Sequence, residues 1–156
     1  MSYELRAVMA GDAILRGASR DLRAARSAPL GQGLSLMPMT DGLYDSVVDG
    51  GDTGALGFWR LPPGFDKILA DWSTAGPVAY VEAEYFGGVG EQQAAVWAGG
   101  TLVWGPLQVH EGQPFPSAGS PISQALRRLG VVAGANEDEF SAVGLDRHRD
   151  SEEWIA

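Results

Sequence analysis

Polar and apolar residues alternate weakly over Tyr3–Ala10, where Tyr3, Leu5, Ala7 and Met9 are set against Glu4 and Arg6, and this predicts a half-buried strand. Asp12 follows as an N-cap candidate. Beyond it, Ile14, Leu15, Ala18, Leu22 and Ala25 recur at helical spacing, while Arg16, Arg20 and Arg23 fall three or four apart on the polar side. A first helix is expected there, ended by Pro29, Gly31 and Gly33. Leu34-Ser35-Leu36-Met37 reads as a short strand stopped by Pro38. Thr40 or Asp41 then caps a second helix with Leu43, Tyr44, Val47 and Val48 on one face. Asp49–Gly54 is a polar, glycine-rich turn and Ala55–Leu61 reads as a strand. Pro62-Pro63 opens a third helix with the stripe Phe65, Ile68, Leu69 and Trp72, and Gly76-Pro77 stops it.

The second half is richer in strands. Val78–Phe86, Glu91–Trp97 and Thr101–Val109 are β-rich runs separated by Gly87-Gly88-Val89-Gly90 and Gly99-Gly100, which predicts a three-stranded antiparallel meander over about residues 78–109. A loop rich in Pro, Gly and Ser at residues 112–121 leads to a fourth helix through Ile122, Ala125, Leu126 and Leu129, closed by Gly130, and a last short helix falls around Ser151–Ile155. Strands stand singly between helices early in the chain and consecutively later. The expected fold is therefore α+β: a single domain over residues 1–156, with helices packed on a mixed or antiparallel sheet rather than a doubly wound parallel one.

Composition fits such a domain, since 45% of the 156 residues are hydrophobic and 20% are charged. The chain has no cysteine, which removes disulfides, thiolate nucleophiles and cysteine-ligated metal sites together. The first residues lack the basic and apolar regions of a secretory signal, and no apolar run is long enough to span a bilayer, so a cytoplasmic location is expected. Net charge is −9 and unevenly spread. Residues 1–26 carry five arginines against three carboxylates, residues 27–126 carry Arg60 and Lys67 against ten carboxylates, and residues 127–156 carry four arginines against seven. A body this acidic disfavours nucleic acid and anionic membrane as partners, and favours a protein, above all a basic one. The arginine row of the first helix suits pairing with the chain's own acidic surface, or with a second copy in a homo-oligomer.

The most distinctive stretch runs from Glu82 to Gln92. Alternation puts Glu82 and Glu84 on one strand face with Val78 and Tyr80, while Val81, Ala83 and Tyr85 point the other way. As solvated or salt-bridged carboxylates, Glu82, Glu84 and Glu91, together with the aromatics Tyr85 and Phe86, form a surface for a partner. In a low-dielectric pocket the same glutamates suit acid–base chemistry, with His148 oriented by Asp146 as a further member. His110 and His148 belong to no metal-ligand spacing, the glycine loop at 87–90 is followed by a glutamate and a β run rather than a helix, and no serine sits in a nucleophile elbow. No metal, cofactor or catalytic residue is assigned. The five tryptophans, Trp59, Trp72, Trp97, Trp104 and Trp154, read mainly as core or sheet-face residues.

The run Tyr80–Gln92 (YVEAEYFGGVGEQ) and the tail Asp138–Arg149 resemble segments of small uncharacterised bacterial proteins of actinobacterial type, over about a fifth of the chain. Those proteins are similar in size and acidity to cytoplasmic immunity proteins that neutralise secreted toxins. The resemblance implies a protein-binding module and assigns no site residue. A small enzyme or ligand-binding domain with a carboxylate pocket is the alternative.

Overall fold

A computed structural model describes residues 2–47 and 55–155. Val48 and the turn expected at Asp49–Gly54 lie outside the described residues. Six strands form one antiparallel sheet: β1 (Ser2–Gly11), β2 (Ala28–Pro29), β3 (Leu34–Pro38), β4 (Val78–Phe86), β5 (Val89–Ala98) and β6 (Thr101–Val109), in the order β2-β3-β1-β4-β5-β6. The α+β expectation holds, and the sheet is antiparallel throughout. The meander β4-β5-β6 turns at Gly87-Gly88 and Gly99-Gly100, where all four glycines take positive φ (61° to 88°), the geometry of two-residue hairpin turns. Val89 and Gly90 are not part of the first turn but already belong to β5.

Helices cover both faces of the sheet. On the first face, Leu5, Ala7, Met9, Val81, Ala83, Ala94 and Val96 pack against Ile122, Ala125 and Leu126 of α4 (Pro121–Arg128). Ser120 caps α4 by accepting the Ser123 backbone N–H at 3.1 Å. The same cluster includes Val143 and Leu145 beside α5 (Glu139–Ala142), and Trp154 in a closing 3₁₀ turn, Ser151–Ile155, where a last short helix is expected. On the second face, Val8, Met37, Val78, Tyr80, Ala95 and Trp97 meet Leu15 and Ala18 of α1 (Asp12–Asp21), Leu43 of α2 (Asp41–Val47), and Phe65 and Leu69 of α3 (Phe65–Trp72). Because both faces are covered, β1 is buried continuously from Ala7 to Ala10 instead of half-buried.

Three local expectations are corrected. Helix α1 stops at Asp21, Leu22 being extended, and Asp12 is its first residue rather than its cap: one oxygen of Asp12 accepts from the Ser35 hydroxyl at 2.8 Å and the other pairs with Arg16 at 3.0 Å. Thr40 does cap α2, through the Leu43 N–H at 3.2 Å. Ala55–Leu61 is not a strand. It is a 3₁₀ turn, Ala55–Gly57, followed by irregular chain, and positive φ at Leu56 (57°) and Gly57 (83°) is incompatible with an extended ladder. The N–H groups this leaves unpaired are met by a side chain from the sheet.

Candidate functional site

That side chain is Glu82. It is 0% exposed, in the middle of β4, on the same face as Tyr80. The backbone N–H groups of Trp59 and Arg60 donate to its two oxygens, each at 2.7 Å; the Tyr80 hydroxyl donates at 2.9 Å and the Gln93 amide at 2.7 Å. Gln93 in turn accepts from the Gln108 side chain. Burial raises the Glu82 carboxyl above its ordinary value of 4.5, opposed by hydrogen bonds from Trp59, Arg60, Tyr80 and Gln93. Burial also lifts the Tyr80 hydroxyl well above the tyrosine range, helped by the neighbouring Glu82 charge. Glu82 is therefore neither solvated nor salt-bridged, contrary to the surface reading of this strand. It anchors the Trp59–Arg60 backbone, and the Arg60 guanidinium, paired with Asp41 and lying 4.5 Å above the Tyr44 ring, holds the same segment from the other side.

Strand register turns this face into graded rungs. Val8, Tyr80 and Ala95 are aligned across β1, β4 and β5; the next rung outward is Arg6, Glu82 and Gln93; the next is Glu4, Glu84 and Glu91. The face thus passes from apolar through polar to purely acidic within four residues. Directly opposed like charges on neighbouring strands are unfavourable. Two of these three carboxylates have partial compensation from Arg6, which pairs with Glu4 at 3.0 Å and Glu84 at 3.6 Å. Glu4 is further held by the Ser151 backbone N–H at 3.2 Å and by the Ser151 hydroxyl. Glu91 lies 3.5 Å from the His110 ring.

Beyond this rung lies the end of the β4–β5 hairpin, where Phe86 pairs with Ser2 of β1 and with Val89 of β5. Phe86 is 78% exposed, and Val89 on the other strand is half-exposed. With Glu84, Gly90, Glu91 and Glu111 they line an open concavity of about 350 Å³. Three of those six residues are acidic and none is basic. Of the residues expected to form a contact surface, Glu84, Phe86 and Glu91 come together here, Tyr85 points to the opposite face, and Glu82 is enclosed.

His148 and Asp146 are elsewhere. The His148 ring meets Trp154 edge-on at 4.6 Å, within the hydrophobic cluster of the first face, whereas Glu82 belongs to the second. Neither a hydrogen bond nor an ion pair joins Asp146 to His148 among the described residues, so the charged run Asp146–Asp150 is not a salt-bridge set: Arg147 donates to the Pro29 carbonyl and Asp150 accepts the Glu153 N–H. No group of three or more His, Asp or Glu side chains suited to a metal occurs among the described residues, and no helix among them is long and apolar enough to cross a membrane.

Sequence reading missed Gln92, Gln93 and Gln108. A Gln-Gln pair within a strand followed by Ala-Ala-Val-Trp-Ala is the available signal: when both faces of the strand are covered both amides are buried, and each needs a partner. Gln93 serves Glu82, while Gln92 accepts the Ile122 N–H at 2.8 Å and so fixes the start of α4. Comparison of the chain with protein-family models, curated proteins and solved structures gave no match.

Proposed function

We propose that this protein is a binding module that captures a basic protein partner at the end of the β4–β5 hairpin, as a toxin-neutralising immunity protein does, in the cytoplasm. The observation that carries the reading is the placing of Phe86, the most exposed large apolar side chain among the described residues, beside the carboxylates of Glu84, Glu91 and Glu111. An aromatic anchor surrounded by one sign of charge suits a partner segment bearing an apolar side chain among lysines or arginines. The ring supplies desolvated contact area, and the charges steer encounter and fix register. The competing reading, a catalytic carboxylate pocket of Glu82, Glu84 and His148, has less support. Both oxygens of Glu82 are occupied by four donors, Glu84 faces outward, and His148 packs on the other face.

The test is co-expression with basic polypeptides encoded next to this protein's own gene. A one-to-one complex that suppresses the neighbour's toxicity is expected, with an association rate that falls as salt rises. Glu84→Lys combined with Glu91→Lys should abolish both complex and protection without unfolding the chain. A complex that forms equally well with the charge-reversed variant overturns the reading.

A further inference from the structure

On the first face of the sheet, opposite the Glu82 rung, a second cavity of about 340 Å³ lies between the hairpin and α5. Its walls include four aromatic rings from four parts of the chain: Tyr3 of β1, Tyr85 of β4, Phe115 of the loop before α4, and Phe140 of α5. Tyr3 and Phe140 meet edge-to-face with centroids 5.4 Å apart, so one wall is a packed aromatic corner. Asp138 is the charged side chain on the lining, and no lysine, arginine or histidine is among the lining residues. One Asp138 oxygen is used to cap α5, accepting the Ser141 N–H at 2.9 Å.

The two phenols are fixed by their own hydrogen bonds. Tyr3 donates to the Leu145 carbonyl at 3.0 Å, and the Tyr85 oxygen accepts from Gln92 at 3.1 Å. Burial raises both hydroxyls above the usual tyrosine range, and the nearby carboxylates of Asp146 and Glu4 raise Tyr3 further. Both rings therefore remain neutral phenols with electron-rich faces, and the charges that act on Tyr3 are negative. Of the two arginines of α4, Arg127 donates to the Ala118 carbonyl at 2.8 Å and pairs with Glu139 at 3.3 Å, and Arg128 lies over the Trp104 ring at 5.0 Å.

We propose that this aromatic cavity is a binding site for an organic cation, an alkylated ammonium group held by ring faces and by the Asp138 carboxylate. Ring quadrupoles attract a weakly hydrated cation, and aromatic cages for quaternary ammonium work in this way. An anion would meet no cationic side chain on the lining, only hydroxyls and the Gln92 amide that already donates to Tyr85, and would face Asp138. A neutral apolar group gains burial alone. Its lining shares no residue with the concavity around Phe86, and a further depression, lined by Tyr85 and Phe115 on one side and by Val89 and Gly90 on the other, lies between the two.

The experiment is NMR titration of the intact protein with choline, with a short peptide carrying trimethyllysine, and with 3,3-dimethylbutan-1-ol, the uncharged isostere of choline. At least one cation should saturably shift resonances of Tyr3, Tyr85 and Phe140, and bind about tenfold or more tighter than the isostere. Choline binding without the peptide assigns the site to a free solute, and the reverse assigns it to a polypeptide side chain. Tyr85→Leu should weaken the preferred cation about tenfold, while Tyr85→Phe, which keeps the ring, should stay within about threefold. Asp138→Asn keeps a capping side chain for α5 and should cost about two- to fivefold. Phe86→Ala should leave the cation affinity unchanged, so loss of partner capture and loss of this site are read separately. No saturable shift with either cation, or equal affinity for the isostere, overturns the proposal.

Discussion

Glu82 and Glu84 stand two residues apart on the same face of the same strand, yet they occupy opposite extremes of environment. Glu82 is fully buried with four donors on its oxygens, while the Glu84 side chain is 64% exposed and its one ion pair spans 3.6 Å. The difference lies not in the strand but in what covers it. The Phe58–Leu61 segment and α3 lie over the inner rungs and stop short of the hairpin end, where Phe86 and Val89 emerge. One glutamate is a structural anchor because its neighbours bring donors to it. The other keeps its charge largely available because only Arg6, at 3.6 Å, approaches it.

The largest expected effect tests the buried member. Glu82→Leu should destabilise the protein by about 3–5 kcal/mol in urea unfolding, because the Trp59 and Arg60 N–H groups, the Tyr80 hydroxyl and the Gln93 amide all lose their acceptor. Glu84→Leu should stay within about 0.5 kcal/mol. Similar losses at the two positions would erase the contrast.

Gly90 is the next most sensitive position, and it bounds the idea that the hairpin end is unconstrained. A Cβ there collides with the backbone of Glu84 and Tyr85, so Gly90→Ala should cost about 1–3 kcal/mol although the site is near the surface. Thermal unfolding of the variant beside Gly87→Ala, where open space surrounds the added carbon but positive φ opposes it, separates close approach from backbone strain.

The pH dependence of stability sharpens the comparison further. Burial raises the folded-state affinity of Glu82 for its proton above that in the unfolded chain, so its contribution to stability is fully present below the ordinary carboxyl value of 4.5 and declines as pH rises through the folded value. Urea unfolding in steps from acid to neutral pH should therefore show the destabilisation caused by Glu82→Gln shrinking as pH increases. A gap that widens with pH would mean that hydrogen bonding outweighs desolvation at this carboxyl.

The smallest effect on stability belongs to Phe86. Phe86→Ala should change unfolding free energy by no more than about 0.5 kcal/mol, since the ring is 78% exposed. If the ring anchors a partner, the same variant should weaken capture by about 2 kcal/mol, roughly thirtyfold, in calorimetric titration.

Much of the architecture was legible because it is locally encoded. The glycine pairs at 87–88 and 99–100 delimit the meander, the stripe Ile122, Ala125, Leu126 marks α4, and period-two alternation assigns Glu82 and Glu84 to one face. The segment Ala55–Leu61 departs from its local pattern for the complementary reason. Its apolar residues look extended, and only a distant carboxylate makes an irregular path acceptable to its N–H groups. Of the candidate site, the grouping of Glu84, Phe86 and Glu91 follows from hairpin geometry, but Glu111 and the cavity formed by Tyr3, Phe115 and Phe140 do not, because residues far apart in the chain have to be brought together.

The amino-acid sequence alone determined that this is an acidic α+β protein whose conspicuous strand carries two glutamates on one side. Side-chain alternation and turn chemistry act over a few residues and need no tertiary context. Only the tertiary structure decided that the first glutamate is buried as an acceptor while the second faces solvent. Burial, desolvation and hydrogen-bond satisfaction depend on which distant segments pack above a position, and alternation along one strand carries no record of that.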